Sequence, residues 1–113
     1  MIESIFGNET TALIFLNIYH YGEIHAAAIS RNTGKFPRAI INQLDNLEEK
    51  GLLVSKTVGR SRLYLFNGKS PYIKYLKEII KITYDSLPIK LKENLFKERL
   101  RPRKKGKPVI NEN

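Results

Sequence analysis

The chain has 113 residues, 42% of them hydrophobic, enough to fill one core with little left for a second. Twenty Lys and Arg against eleven Asp and Glu leave a net charge of +9, which favours polyanionic partners and makes nucleic acid the first suspect. With no Cys there is no disulfide framework, thiolate zinc site, iron–sulfur cluster or cysteine nucleophile, and two His residues are too few for an imidazole metal cage.

From Asn8 to Tyr21 the apolar residues Ala12, Leu13, Ile14, Phe15, Leu16, Ile18 and Tyr19 surround nearly the whole circumference of a predicted helix, with Thr10 or Thr11 near its start. A helix apolar all round has to be covered on both sides, and a second subunit is the simplest cover in so small a chain, so a homodimer through this helix and the helices from Ser70 onward is expected. Gly22 ends this helix, Glu23-Ile24-His25 predicts a short β segment, and Ala26 to Ile29 open a second helix that Asn32-Thr33-Gly34 breaks. Pro37 suits the first position of a third helix, in which Ile40, Leu44 and Leu47 recur at i, i+4 and i+7 until Gly51 stops it.

Leu52 to Val58, then Gly59-Arg60-Ser61, then Arg62 to Phe66 predict two strands around a glycine-containing loop. Ser70-Pro71 supplies an N-cap and a first-turn proline for a helix with Ile73, Leu76, Ile80, Thr83 and Leu87 on one stripe. Pro88 interrupts it, and Ile89 to about Arg101 permits a further helix with Leu91, Leu95 and Phe96 as apolar contacts. Everything after Pro102 is expected to be disordered in isolation.

Charge divides at the same place. Residues 1 to 87 carry eleven basic and eight acidic side chains, whereas residues 88 to 113 carry nine basic and three acidic. The expected organisation is a domain over 1–87 followed by a basic C-terminal helix and flexible arm over 88–113. No run approaches the roughly 18 apolar residues of a membrane span, since the most apolar stretch, Ala12 to Leu16, is broken at Asn17. No secretory leader is apparent behind acidic Glu3, so a cytoplasmic chain without a membrane partner is expected.

Helix, short strand, helix, turn, helix, hairpin and helix in that order make the winged helix-turn-helix plan: mainly α with a small β-hairpin wing, here with a C-terminal helical extension. The segment from Phe6 to Pro88 resembles ArsR/MarR-type winged-helix transcriptional regulators, in which a helix ending L-x-x-L-E-x-x-G-L-[LIV] leads into the wing. Leu44, Leu47, Glu48, Gly51, Leu52 and Leu53 occupy those places. The resemblance implies a sequence-specific regulator of transcription that binds double-stranded DNA, and the Cys-based metal sites of some ArsR-type members have no counterpart in this chain.

The residue types fit that chemistry. With Ile40, Leu44 and Leu47 inward, Arg38, Ala39, Asn42, Gln43 and Asn46 turn outward, and Lys35 just before the helix can reach phosphate. Such a polar strip is also what any solvated amphipathic helix carries. The carboxylates Asp45, Glu48 and Glu49, however, gather toward the far end, against the usual preference for acids in a first turn. Lys56, Arg60 and Arg62 bracket the hairpin tip, and residues 50 to 69 contain no acid. In the tail, Arg99, Arg101, Arg103, Lys104, Lys105 and Lys107 form a cationic arm; Lys105-Gly106-Lys107-Pro108 resembles the Arg-Gly-Arg-Pro core of AT-hooks with Lys in place of both Arg residues. The arm is open to specific AT-rich readout, nonspecific phosphate contact, or an RNA, protein or solubilising role.

His20 and His25 are expected to be packed or surface residues, not metal ligands. Tyr72, Tyr75 and Tyr84 are expected in packing or an interface, with an effector pocket as the alternative and no effector named. No serine sits in a nucleophile elbow and no phosphate-binding glycine loop occurs, so neither catalysis nor a cofactor is expected. The rival reading is a winged-helix adaptor that binds protein or RNA and carries a basic tail.

Overall fold

The structure, a computed structural model, describes residues 6–99. Helices α1 (Glu9–Tyr21), α2 (Ala26–Thr33), α3 (Pro37–Glu49), α4 (Ile73–Ser86) and α5 (Ile89–Leu95) accompany strands β1 (Ile24–His25), β2 (Leu53–Val58) and β3 (Ser61–Phe66). The described chain is thus mainly α with one small antiparallel sheet, ordered β1-β3-β2. None of these helices is long and apolar enough to cross a membrane.

Helix α1 starts at Glu9, just ahead of its two threonines. The Asn8 side chain accepts the Thr11 amide at 2.7 Å, so Asn8 is the N-cap. Every residue from Thr11 to Ile18 is buried, because α2, α3, α4 and the sheet all pack around α1. The cover that an all-round apolar helix requires therefore comes from the same chain, and this helix no longer argues for a second subunit. Ile24, Ala28, Ile29, Ile40, Leu44, Leu47, Leu53, Tyr64 and Ile80 complete the core around it.

Local chemistry fixes the turns at both ends of α3. Gly34 takes the left-handed φ of 75° at the end of α2, and its amide donates to the Ser30 carbonyl at 2.9 Å. The next residue is held at both ends: Ser30 Oγ donates to the Lys35 carbonyl (2.6 Å), and Thr33 Oγ1 accepts the Lys35 amide (3.3 Å). Pro37 then opens α3, whose buried stripe is Ile40, Leu44 and Leu47. At its other end Gly51 has φ 83°, with Leu52 N–H bonded to the Leu47 carbonyl (3.1 Å) and Gly51 N–H to that of Glu48 (3.0 Å). These two bonds form a Schellman cap that turns the chain straight into β2.

Strands β2 and β3 pair from Leu53↔Phe66 to Val58↔Ser61, leaving a two-residue turn, Gly59-Arg60, with Gly59 at φ 61°. Ser61, expected in the loop, is the first paired residue of β3. Strand β1 pairs with β3 through Ile24↔Tyr64 and His25↔Leu63.

Helix α4 begins at Ile73; Ser70 and Pro71 belong to a preceding turn, in which the Ser70 hydroxyl accepts the Tyr72 amide at 3.2 Å. Ile73 and Ile80 are buried on its inner stripe, while Tyr72, Tyr75, Ile79 and Ile82 lie exposed on another side. Helix α5 ends at Leu95, short of the expected Arg101, because Asn32 draws the following backbone out of the helix: its Oδ1 accepts the amides of Lys97 (3.0 Å) and Glu98 (2.9 Å). Leu95 and Phe96 pack against the core as expected, but Leu91 is exposed.

Candidate nucleic-acid interface

The outer surface of α3 carries the residues singled out in the sequence. Arg38, Ala39 and Asn42 are exposed, and Asn46 is half-buried beyond them. Gln43 is not a free reader: it is half-buried, and its Nε2 donates to Thr11 Oγ1 at 2.7 Å, so it struts α3 against α1. No acid occupies the first turn of α3; Asp45 is exposed in its second half, followed by Glu48 and Glu49. The outer face therefore grades from cationic and amide-bearing to acidic along its length.

Acids from elsewhere in the fold reach the surrounding cations. Lys35 Nζ sits 2.7 Å from Glu9 Oε1, and Lys56 Nζ lies 2.8 Å from Glu23 Oε1. Arg62 Nη2 donates to Glu48 Oε1 at 2.6 Å and its Nε to Ser55 Oγ at 3.0 Å, while Ser55 Oγ donates to Glu48 Oε2 at 2.7 Å. The Arg62 guanidinium also lies 5.2 Å from the centre of the Tyr64 ring, whose hydroxyl pKa is raised by burial above all. Two of the three hairpin cations, Lys56 and Arg62, are thus countered by acids that lie outside residues 50 to 69. Arg60, at the tip, has no ion pair among the described residues. Arg101, Arg103, Lys104, Lys105 and Lys107 lie outside the described residues.

No protein-family model, curated protein or solved structure matches the chain. The surface has to be judged on its own chemistry.

Sequence reasoning missed the polar cluster behind α2. Asn32 is buried and its Nδ2 donates to Asn17 Oδ1 (2.8 Å) and to Tyr21 Oη (3.2 Å); Asn17 Nδ2 in turn donates to the Leu13 carbonyl (2.9 Å). Tyr21 Oη donates to the Glu98 carbonyl at 2.7 Å, and Arg31 Nη2 to Glu98 Oε1 at 2.9 Å. The hydrogen bond from Arg31 is the main reason that the Glu98 carboxyl titrates below its ordinary range. These bonds fasten residues 97 and 98 beside α2. The only hint in the sequence was Asn17, an amide inside an otherwise apolar helix.

His20 stacks on Phe96 with ring centres 4.3 Å apart and planes at 4°, and its Nδ1 lies 2.7 Å from Tyr84 Oη. Part of the imidazole still meets solvent, yet burial against these rings, helped by the Lys92 ammonium, lowers its pKa from 6.5. Tyr84 thus belongs to an aromatic packing cluster, while Tyr72 and Tyr75 are exposed. A surface concavity of about 260 Å³ is lined by Ile18, Tyr19, Gly22, Leu65, Phe66 and Lys77; none of the three tyrosines considered for an effector pocket lines it.

Proposed function

We propose that this chain is a winged-helix regulator of transcription that binds double-stranded DNA sequence-specifically. In this reading α2, the turn through Lys35 and α3 form the helix-turn-helix, and the β2–β3 hairpin is the wing. The observation that carries the reading is the first half of α3: an exposed strip bearing Arg38, Ala39 and Asn42, free of carboxylates and opposite a fully buried stripe. A major groove about 12 Å wide admits one such helix. Arg38 can pair bidentately with guanine and Asn42 with adenine, each good pair discriminating by about 1–3 kcal/mol. Arg60 at the wing tip supplies a sequence-independent phosphate or minor-groove contact. The acidic second half of α3 keeps that end away from the phosphates.

The functional unit in this reading is a homodimer. Its support is the exposed row Tyr72, Tyr75, Ile79 and Ile82 on α4, spaced three, four and three residues apart as in a helix-pairing seam. Two subunits joined there would present two copies of α3 to pseudo-palindromic half-sites about 10 base pairs apart. Sedimentation of Ile79→Glu/Ile82→Glu against wild type should show a dimer only for wild type; identical masses would remove α4 from the interface.

Selection of duplexes from a random pool, followed by titration of binding against salt, tests the DNA reading. An enriched motif and a log–log slope of about −0.9 per contacted phosphate are expected. A flat salt dependence, or no duplex retained, would favour a protein-binding or RNA-binding adaptor.

A further inference from the structure

We propose that Phe36 is a specificity-determining residue that receives the 5-methyl group of thymine in the major groove; this rests on the DNA-binding reading above. Phe36 is 82% exposed, the most exposed large apolar side chain among the described residues. A single exposed apolar residue is ordinary on a protein surface, and Phe36 is distinguished by how it is held and by its neighbours.

Its backbone is fixed. Phe36 is the N-cap of α3, with φ −64° and ψ 142°, and its carbonyl accepts the Ile40 amide at 3.1 Å. Pro37 restricts it from one side, and the two hydrogen bonds to Lys35 anchor it from the other. The ring is therefore presented to water on a pre-set stem, with little backbone entropy left to lose when it is covered.

Its neighbours carry matching chemistry. Ala39, Asn42 and Asn46 follow one another at intervals of three and four residues along one strip of α3, and Phe36, the extended N-cap residue, stands just ahead of that strip. Two apolar groups are thus followed by two amides. In the major groove an A·T pair offers an edge that suits Asn or Gln on the adenine and a methyl group on the thymine, and thymine alone among the four bases carries that methyl. The strip is suited to successive A·T pairs, with Phe36 just ahead of it. Arg38, two residues beyond the ring, can hold guanine beside it, while Lys35 on the other side is paired with Glu9.

Replacement of thymine by deoxyuridine, which removes only the methyl group, tests this. Duplexes enriched by the full chain would be remade with each thymine replaced in turn, and affinities measured for wild type and Phe36→Ala. Wild type should lose about fourfold at one thymine in each half-site, the worth of one buried methyl group. Phe36→Ala should bind the thymine duplex more weakly and show no thymine–uracil difference at that position, while keeping the wild-type melting temperature. Wild-type indifference to every replacement, or an undiminished uracil penalty in Phe36→Ala, would overturn the proposal. Weaker binding by Phe36→Ala with loss of DNA bending and no uracil effect would mark the ring as a wedge between base steps, which also overturns it. If no duplex is enriched at all, the DNA-binding reading has failed first.

Discussion

Replacing Asn32 with alanine should destabilise the protein far more than the loss of one surface amide. Asn32 is 2% exposed, and its side chain makes four hydrogen bonds, two to side chains of α1 and two to the amides of Lys97 and Glu98. The two backbone amides can recover water if their segment peels away. Asn17 Oδ1 cannot, because Asn17 is 0% exposed and Asn32 is the donor that reaches it. An orphaned buried acceptor costs about 1–3 kcal/mol, and each bond lost without replacement adds about 0.5–1.5 kcal/mol, so a total of about 2–4 kcal/mol is expected. Urea unfolding followed by circular dichroism gives that number, and hydrogen exchange at Lys97 and Glu98 should show their protection lost. Adding Asn17→Ala removes the orphan itself, so the double variant should be more stable than the sum of the two single losses by about 1–2 kcal/mol. A cost for Asn32→Ala below about 0.5 kcal/mol with both amides still protected would refute the reasoning, and so would strict additivity in the double variant.

Arg38→Ala should flatten the preference between the selected duplex and a random one, whereas Arg60→Ala should weaken both alike and reduce the salt slope by about 0.9; equal losses for both variants on both duplexes would contradict the roles assigned. Glu48→Gln removes the carboxylate that holds Arg62, so binding to all duplexes should tighten and the salt slope steepen by about 0.9, at a stability cost of about 0.2–1 kcal/mol. Weaker binding would mean that Glu48 positions Arg62 for contact. For His20, the folded pKa lies below 6.5, so the folded state binds the proton less well than the unfolded chain. Its contribution to stability is full above pH 6.5 and is lost as pH falls through the lowered value. The urea midpoint should therefore drop between pH 7.5 and 5, and His20→Gln should reduce that drop; an unchanged drop would assign it to other groups. The Glu98 carboxyl, paired with Arg31, acts in the separate window below its ordinary 4.5.

What could be read from the sequence was the chemistry that acts within a few residues. The i, i+4, i+7 recurrence of Ile40, Leu44 and Leu47 located α3 and its inner stripe, and Gly34, Gly51 and Gly59 marked the three turns because each needs a positive φ. Contacts between distant faces were not legible. Gln43 meets Thr11 across 32 positions, Lys35 meets Glu9 across 26 and Arg62 meets Glu48 across 14. Counting acids within residues 50 to 69 could not detect carboxylates delivered by α3 and by the approach to β1. The all-round apolar α1 was ambiguous for a similar reason: composition shows that both sides need cover but does not say which chain provides it. Asn32, expected to break α2 together with Thr33 and Gly34, lies within that helix, and its buried side chain ends α5, 65 positions away at Lys97.

Strand β1 is only two residues long, but it is hydrogen-bonded to the central strand of the sheet and runs into α2 with no intervening residue. The hairpin is consequently geared to α2 and does not swing from a free hinge. For a DNA-reading protein built this way, the angular phase between the groove that receives α3 and the backbone reached by Arg60 would be set at synthesis. One base pair inserted between those two points rotates them by about a tenth of a turn. Such a protein would have to give up one of its two grips, so tolerance of spacing within a half-site would be low even where tolerance of sequence is high.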